Sequence, residues 1–150
     1  WDPSVRQILE RTGPEAVMRH DVHHVPGDLP HYVRGRVVMI GDAAHGFLPT
    51  LGQGVATALE DGVSAGTLIG ESVRAGTDLV TALDDFDTAR RPRNRRLERG
   101  AMATARIGSH LGPGRRQSIR NRLLRLVPAA AMTRTSDAVM GWTPPEHTPR

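Results

Sequence analysis

Cysteine is absent from the 150 residues, which excludes disulfides and thiolate metal sites and fits a reducing cytoplasm. Lysine is absent too, and all 20 basic residues are arginine. Because Ala, Gly and Pro are also abundant, this bias reads as the codon usage of a GC-rich genome. Aromatics amount to only 3%, so any core must be aliphatic and rich in Ala. No apolar run approaches the ~20 residues needed to span a bilayer, and no charged-then-apolar leader opens the chain; no membrane partner is expected. The first residues are Trp1-Asp2-Pro3, without an initiator Met. The expectation is therefore a piece of a longer polypeptide.

What is present has the rhythm of an α/β protein. Asp2 or Ser4 can cap a short helix through about Thr12, ended by Gly13-Pro14. Val17 to Val25 reads as a strand, and Gly27-Asp28-Leu29-Pro30 as a turn. Val37-Val38-Met39-Ile40, bounded by Gly35 and Gly41-Asp42, has the pattern of a central parallel strand buried on both faces. From Leu51 a long helix is expected, with Val55, Leu59, Gly62, Val63, Gly66 and Ile69 forming one apolar stripe. Gly76 fits the left-handed position beyond Arg74. A second helix from Thr77 or Asp78 should bury Leu79, Ala82, Leu83, Phe86 and Ala89, with Pro92 kinking or interrupting it before a further stretch from Asn94 to His110. Gly112-Pro113-Gly114 breaks the chain, Ile119, Leu123, Leu126 and Val127 mark a short helix, and the end from Thr143 is irregular. A strand buried on both faces needs neighbours at both edges. At most one other strand is in view, so the sheet must be completed by polypeptide outside these residues.

The chemistry concentrates in Gly41-Asp42-Ala43-Ala44-His45-Gly46-Phe47-Leu48-Pro49-Thr50-Leu51-Gly52-Gln53-Gly54. Ligands of open α/β sheets bind beyond the carboxyl ends of strands, where Asp42 sits, and a carboxylate there can accept hydrogen bonds from ligand hydroxyls. The first turn of the following helix leaves backbone N–H groups unpaired and carries partial positive charge. No Asp or Glu between 51 and 57 neutralises it, and Gly52 and Gly54 let an anionic or electron-accepting ligand edge approach. Each feature alone has a plainer reading. Asp42 can cap a turn, Thr50 can cap the helix, and a lone Gly-x-Gly can be turn chemistry.

Together, the string resembles the second FAD fingerprint of class A flavoprotein monooxygenases, the para-hydroxybenzoate hydroxylase-like family. Its elements are a strand ending Gly41-Asp42, then Ala43-Ala44-His45, Pro49, Gly52-Gln53-Gly54, and the helix segment Ala58-Leu59-Glu60-Asp61. Trp1-Asp2-Pro3 with Val5-Arg6, Arg90-Arg91-Pro92-Arg93 and Gly141-Trp142-Thr143-Pro144-Pro145 look like salicylate- and urate-hydroxylase-like members. The resemblance implies part of an FAD-binding Rossmann-like fold, incomplete on its own. Residues 1–34 would be the end of a substrate domain with its return strand, 35–76 the FAD-binding strand–loop–helix, and 77–150 a C-terminal helical region. Asp42 would bind ribityl hydroxyls of FAD and Pro49 would lie against the isoalloxazine. Gly52, Gln53, Gly54, Val55 and Ala56 would complete the cofactor contact, the last three through backbone N–H groups. Many members have Asn where this chain has Ala56, which leaves only backbone at that position. The implied reaction consumes NAD(P)H and O2 and hydroxylates a small aromatic or heteroaromatic substrate. Which residues are catalytic is not given by the resemblance. The N-terminal fingerprint for the ADP half of FAD is missing, and the polypeptide carrying it is the implied partner. Alternatives are another flavin enzyme of this fold, such as a halogenase or reductase, and a non-catalytic remnant acting as an interaction partner.

Other features carry less. His20, His23 and His24 would alternate along a strand and so not converge, and no metal site is expected. His45 belongs to the fingerprint, and packing of the loop weighs at least as much for it as catalysis. Residues 90–125 hold twelve Arg against Glu98 as the one acid, yet without interleaved aromatics or a binding motif they do not indicate nucleic acid. Asp61, about two turns inside the helix, is expected to be neutral for flavin affinity.

Overall fold

A computed structural model describes residues 2–25, 27, 29–108, 111–112 and 114–146. Helix α1 spans Pro3–Arg11, with Asp2 as N-cap accepting from the Ser4 amide at 2.9 Å and Pro at its first turn. The expected strand over 17–25 is not formed: the segment has no regular structure and is almost entirely exposed. Its end is nonetheless tied down, because the Val25 amide donates to Gly46 O at 2.8 Å. No neighbouring strand stands beside it among the described residues to supply the ladder.

Strands β1 (Val33–Arg34) and β2 (Val37–Val38) form an antiparallel hairpin in the register Val33↔Val38 and Arg34↔Val37. The turn uses Gly35 at φ +60°, a conformation that favours glycine. This corrects the expectation of a parallel strand buried on both faces. Val38 and Met39 pack inward, while Val37 and Ile40 are 67% and 46% exposed. The four apolar residues are covered on one side only.

Helix α2 (Asp42–His45) follows directly. A 3-10 turn over Pro49–Leu51 then leads to α3 (Gly54–Ser64), a π-helical stretch over Ala65–Gly70, and α4 (Glu71–Ala75), which ends on Gly76 at φ +66°. Helix α5 (Leu79–Gly108) is started by Asp78, whose carboxylate accepts from the Val80 amide and the Thr81 hydroxyl. It runs through Pro92 without the interruption that was one of the two expected outcomes. Leu83 and Phe86 are buried as expected, but Ala89 is exposed. Helix α6 (Arg115–Leu124) stands where the pattern placed it, and α7 (Ala129–Met140) was not anticipated.

The core is small. Tyr32, Ala44 and Phe86 form its centre, with Leu29, Val33, Val38, Met39, Ala65, Leu68 and Ile69 packed around them. Two polar ties fix the hairpin on α5: the Tyr32 amide donates to Asp87 Oδ1 at 2.6 Å, and Arg95 Nη2 donates to Leu29 O at 3.3 Å. Burial raises the Asp87 carboxyl, but the Tyr32 amide and Arg91 outweigh it and hold the group below its ordinary value.

Candidate cofactor site

The apolar stripe expected to face the core along α3 faces solvent instead. Val55, Leu59 and Val63 are 78%, 67% and 45% exposed, while Thr57, Glu60, Asp61 and Ser64 on the opposite side are buried. Only Ile69, beyond the start of the π stretch, packs inward, because the wider turn shifts the angular register of the residues after it. The buried polar face is fully engaged. Thr57 Oγ1 donates to Gln53 O and Ser64 Oγ to Glu60 O, the local back-bonding that lets hydroxyls sit inside a helix interface.

The two carboxylates of that face meet two arginines of α5. Arg90 Nε donates to Asp61 Oδ1 and Arg90 Nη2 to Glu60 Oε2, each at 2.8 Å, and Arg93 Nη2 reaches Glu60 Oε1 at 3.1 Å. Asn94 Nδ2 lies 3.4 Å from Asp61 Oδ1 while its Oδ1 accepts from Arg90 at 3.2 Å. Arg90 Nη1 has no hydrogen-bond partner among the described residues, and the guanidinium lies 5.4 Å from the Trp142 ring centroid, a cation–π contact. Arg93 extends the network to the carbonyls of Ala138 and Val139, at 2.9 and 2.5 Å.

The second oxygen of Asp61 serves the other direction. Asp61 Oδ2 accepts from the Gly41 amide at 2.9 Å and lies 2.5 Å from His45 Nε2. Burial pushes this carboxyl up, but hydrogen bonds from His45, Arg90 and the Gly41 amide prevail and hold it below the ordinary carboxylate value. His45 is buried, stacks on Phe47 with centroids 5.5 Å apart, and packs near Tyr32. Asp61, expected to be neutral for flavin affinity, is fully buried and a hub of the domain's polar contacts. The signal for it was the polar spacing 57, 60, 61, 64 matched by Arg90, Arg93 and Asn94 on a second helix.

Of the residues read from the sequence as cofactor contacts, Asp42, Pro49, Gly52, Val55 and Ala56 are exposed, Gly54 is half-buried and Gln53 is buried. Gly41 takes φ +57°, and a Cβ there would touch the Ala58 Cβ at 3.4 Å, so the end of the hairpin lies against α3. Asp42 is exposed at the first position of α2. Among the described residues no donor engages its carboxylate. Pro49 is exposed on the 3-10 turn, which Thr50 fastens to α5 through Oγ1 to Ala101 O at 2.6 Å; Thr50 is thus a tether, not a helix cap. Gln53 occupies the N-cap position of α3, without a side-chain cap bond, and its Nε2 donates to Leu51 O at 3.4 Å. The first helical bond of α3 is Thr57 N to Gln53 O at 2.8 Å, so the amides of Gly54, Val55 and Ala56 precede the ladder. No acidic residue stands in that first turn. A Cβ on Gly52 or Gly54 would meet nothing within 4 Å. Gly52 answers to its backbone, at φ +63°, whereas nothing in the chain's own packing calls for Gly54. The donor set and open space suit an anionic, hydroxyl-bearing ligand.

Residues 20–101 match the family described as FAD binding domain. The chain belongs to this family. It is 36% identical to a salicylate hydroxylase of Pseudomonas putida over 108 residues, 71% of this chain and 24% of that protein. An FAD-dependent urate hydroxylase of Klebsiella pneumoniae is 33% identical over 97 residues, 65% of this chain and 24% of the relative. The crystal structure of Klebsiella pneumoniae HpxO complexed with FAD and uric acid matches with a TM-score of 0.74 at 27% identity, covering 93% of this chain and 34% of that one. The chain spans about a quarter of the length of the curated relatives it matches. Its cofactor is FAD.

Among the described residues, the three histidines of the 20–24 segment assemble no metal cluster. No described helix is long and apolar enough to cross a membrane.

Proposed function

We propose that this FAD-binding domain is the C-terminal part of an NAD(P)H- and O2-using hydroxylase of a small aromatic or heteroaromatic substrate. Asp42, Pro49, Gly52, Gln53, Gly54, Val55 and Ala56 form its flavin contact. The observation that carries the reading is the start of α3, where among the described residues the amides of Gly54, Val55 and Ala56 precede the helical ladder and Gly54 has no packing reason. The relatives named for salicylate and urate support the substrate class.

Bound FAD supplies the redox chemistry, taking electrons from NAD(P)H and passing oxygen from O2 to the substrate. This chain's residues hold and orient it. Asp42 accepts hydrogen bonds from ribityl hydroxyls. The amides of Gly54, Val55 and Ala56, with the positive end of α3 behind them, stabilise negative charge on the pyrimidine edge of the reduced ring. Pro49 offers an apolar surface with no N–H to compete.

The rest of the fold comes from further polypeptide. The exposed stripe Val55, Leu59 and Val63 and the exposed Val37 and Ile40 are the surfaces that such polypeptide would cover. In this assignment 1–34 closes the substrate domain, 35–76 carries the flavin contact and 77–150 is the helical C-terminal region.

In the full-length protein, Asp42→Ala should weaken FAD binding roughly ten- to hundredfold, the range for hydrogen bonds to a charged group. Flavin fluorescence titration measures it, and parental affinity in a folded variant overturns the assignment. Phenolic acids and purine-like heterocycles should stimulate NAD(P)H oxidation and yield hydroxylated product. Bound flavin with neither outcome favours the halogenase or reductase reading.

A further inference from the structure

The hub carboxylate divides its two oxygens between two jobs. Oδ1 is bound on the α5 side by Arg90 at 2.8 Å and Asn94 at 3.4 Å, while Oδ2 takes the Gly41 amide at 2.9 Å and the His45 imidazole at 2.5 Å. Arg90 cannot drift, because Glu60 holds its Nη2 and Trp142 lies beside its guanidinium. The carboxylate is thus anchored from behind and presents one fixed oxygen to the far side. That oxygen grips the chain one residue before Asp42, and again at His45, the last residue of α2. Gly41 has little freedom left, with φ +57° and the Ala58 methyl beneath it. One rigid peptide, about 3.8 Å from Cα to Cα, separates the gripped residue from Asp42.

We infer that Asp61 is a positioning residue of the flavin site: from inside the domain it holds the Gly41 amide and the His45 ring, and so sets where Asp42 presents its carboxylate. The inference rests on the reading of Asp42 as a ribityl contact. Asp61 itself is fully buried and touches no ligand; its effect passes through the 41–45 turn. An asparagine in its place keeps the shape but has one acceptor oxygen where Asp61 uses two, and no charge for Arg90, so the turn is held less firmly. A purely structural Asp61 would lower stability and leave the FAD affinity of folded molecules alone.

A double-mutant cycle in the full-length protein separates the two. FAD dissociation constants are measured by flavin fluorescence for the parent, Asp42→Ala, Asp61→Asn and the double variant, at a temperature where circular dichroism shows each folded. Asp61→Asn alone should weaken FAD about tenfold, the scale of one charge-assisted hydrogen bond. On the Asp42→Ala background it should add less than about twofold, because both changes remove the same contact and their effects do not add. Loss in Asp42→Ala with parental affinity in Asp61→Asn, or full additivity of the two, overturns the inference alone. Parental affinity in Asp42→Ala overturns the site assignment and the inference with it. If Asp61→Asn does not fold, His45→Gln replaces it in the cycle, since it alters one of the two grips on the turn while leaving Asp61 paired with Arg90 and the Gly41 amide; parental affinity there overturns the inference.

Discussion

At Asp61 and Arg90 two opposite charges are buried together, the side chains 0% and 1% exposed. Removing one partner strands the other, at a cost of about 3–5 kcal/mol. Arg90→Met should therefore destabilise the full-length protein by about that amount, read from urea denaturation, whereas exposed Arg74→Met should stay within about 0.5 kcal/mol. The pair also sets the response to acid. The folded pKa of Asp61 lies below its ordinary value of 3.8, and that of Asp87 is lowered as well. A lowered folded pKa means stability present above the ordinary value and lost as pH falls through the folded one. The melting temperature should hold down to about pH 4 for these groups and drop below it, and Asp61→Asn should flatten that drop. An unchanged acid limb in Asp61→Asn would remove the carboxylate from the account.

Helix α3 carries two stripes, one apolar (Val55, Leu59, Val63) and one polar (Thr57, Glu60, Asp61, Ser64), and the apolar one is outside. If further polypeptide covers it, Leu59→Ala in the full-length protein should cost about 2–5 kcal/mol. If it stays in solvent, the change should be within about 0.5 kcal/mol. The same helix shows what the sequence could and could not tell. The Gly76 stop after α4 and the glycines at the start of α3 were legible, because they depend on local backbone chemistry, whereas one helix from Leu51 and Asp42 at a strand end were not what formed. Which stripe faces α5 was not legible, since periodicity marks faces and not their partners. The pairing with Arg90 and Asn94 depends on residues about 30 positions away. The strand over 17–25 failed for a related reason: an extended segment becomes a strand only when a neighbour supplies the ladder. The π stretch at Ala65–Gly70 has no sequence signal that we can name.

On the scale of the molecule the usual distribution is inverted. Among the described residues the buried apolar side chains are Tyr32, Leu83, Phe86, Leu97 and four alanines, against ten buried polar or charged residues. Twenty large hydrophobics are exposed, from Ile8 to Met140. A chain of roughly this size normally hides about two-thirds of its unfolded surface, and monomers rarely leave large contiguous apolar patches in water. Here the hydrophobic driving force is mostly unspent, while the polar network carries desolvation costs that need a stable frame. Residues 1–150 expressed alone should therefore aggregate, or bind a hydrophobic dye and melt without a cooperative transition. Supplying the preceding polypeptide should restore a single sharp transition, and FAD should raise its midpoint in a concentration-dependent way, because a ligand that binds only the folded state stabilises it by mass action. A soluble monomer of the 150 residues with a sharp thermal transition would show that the exposed apolar faces need no cover, and the completion by further polypeptide would fall with it.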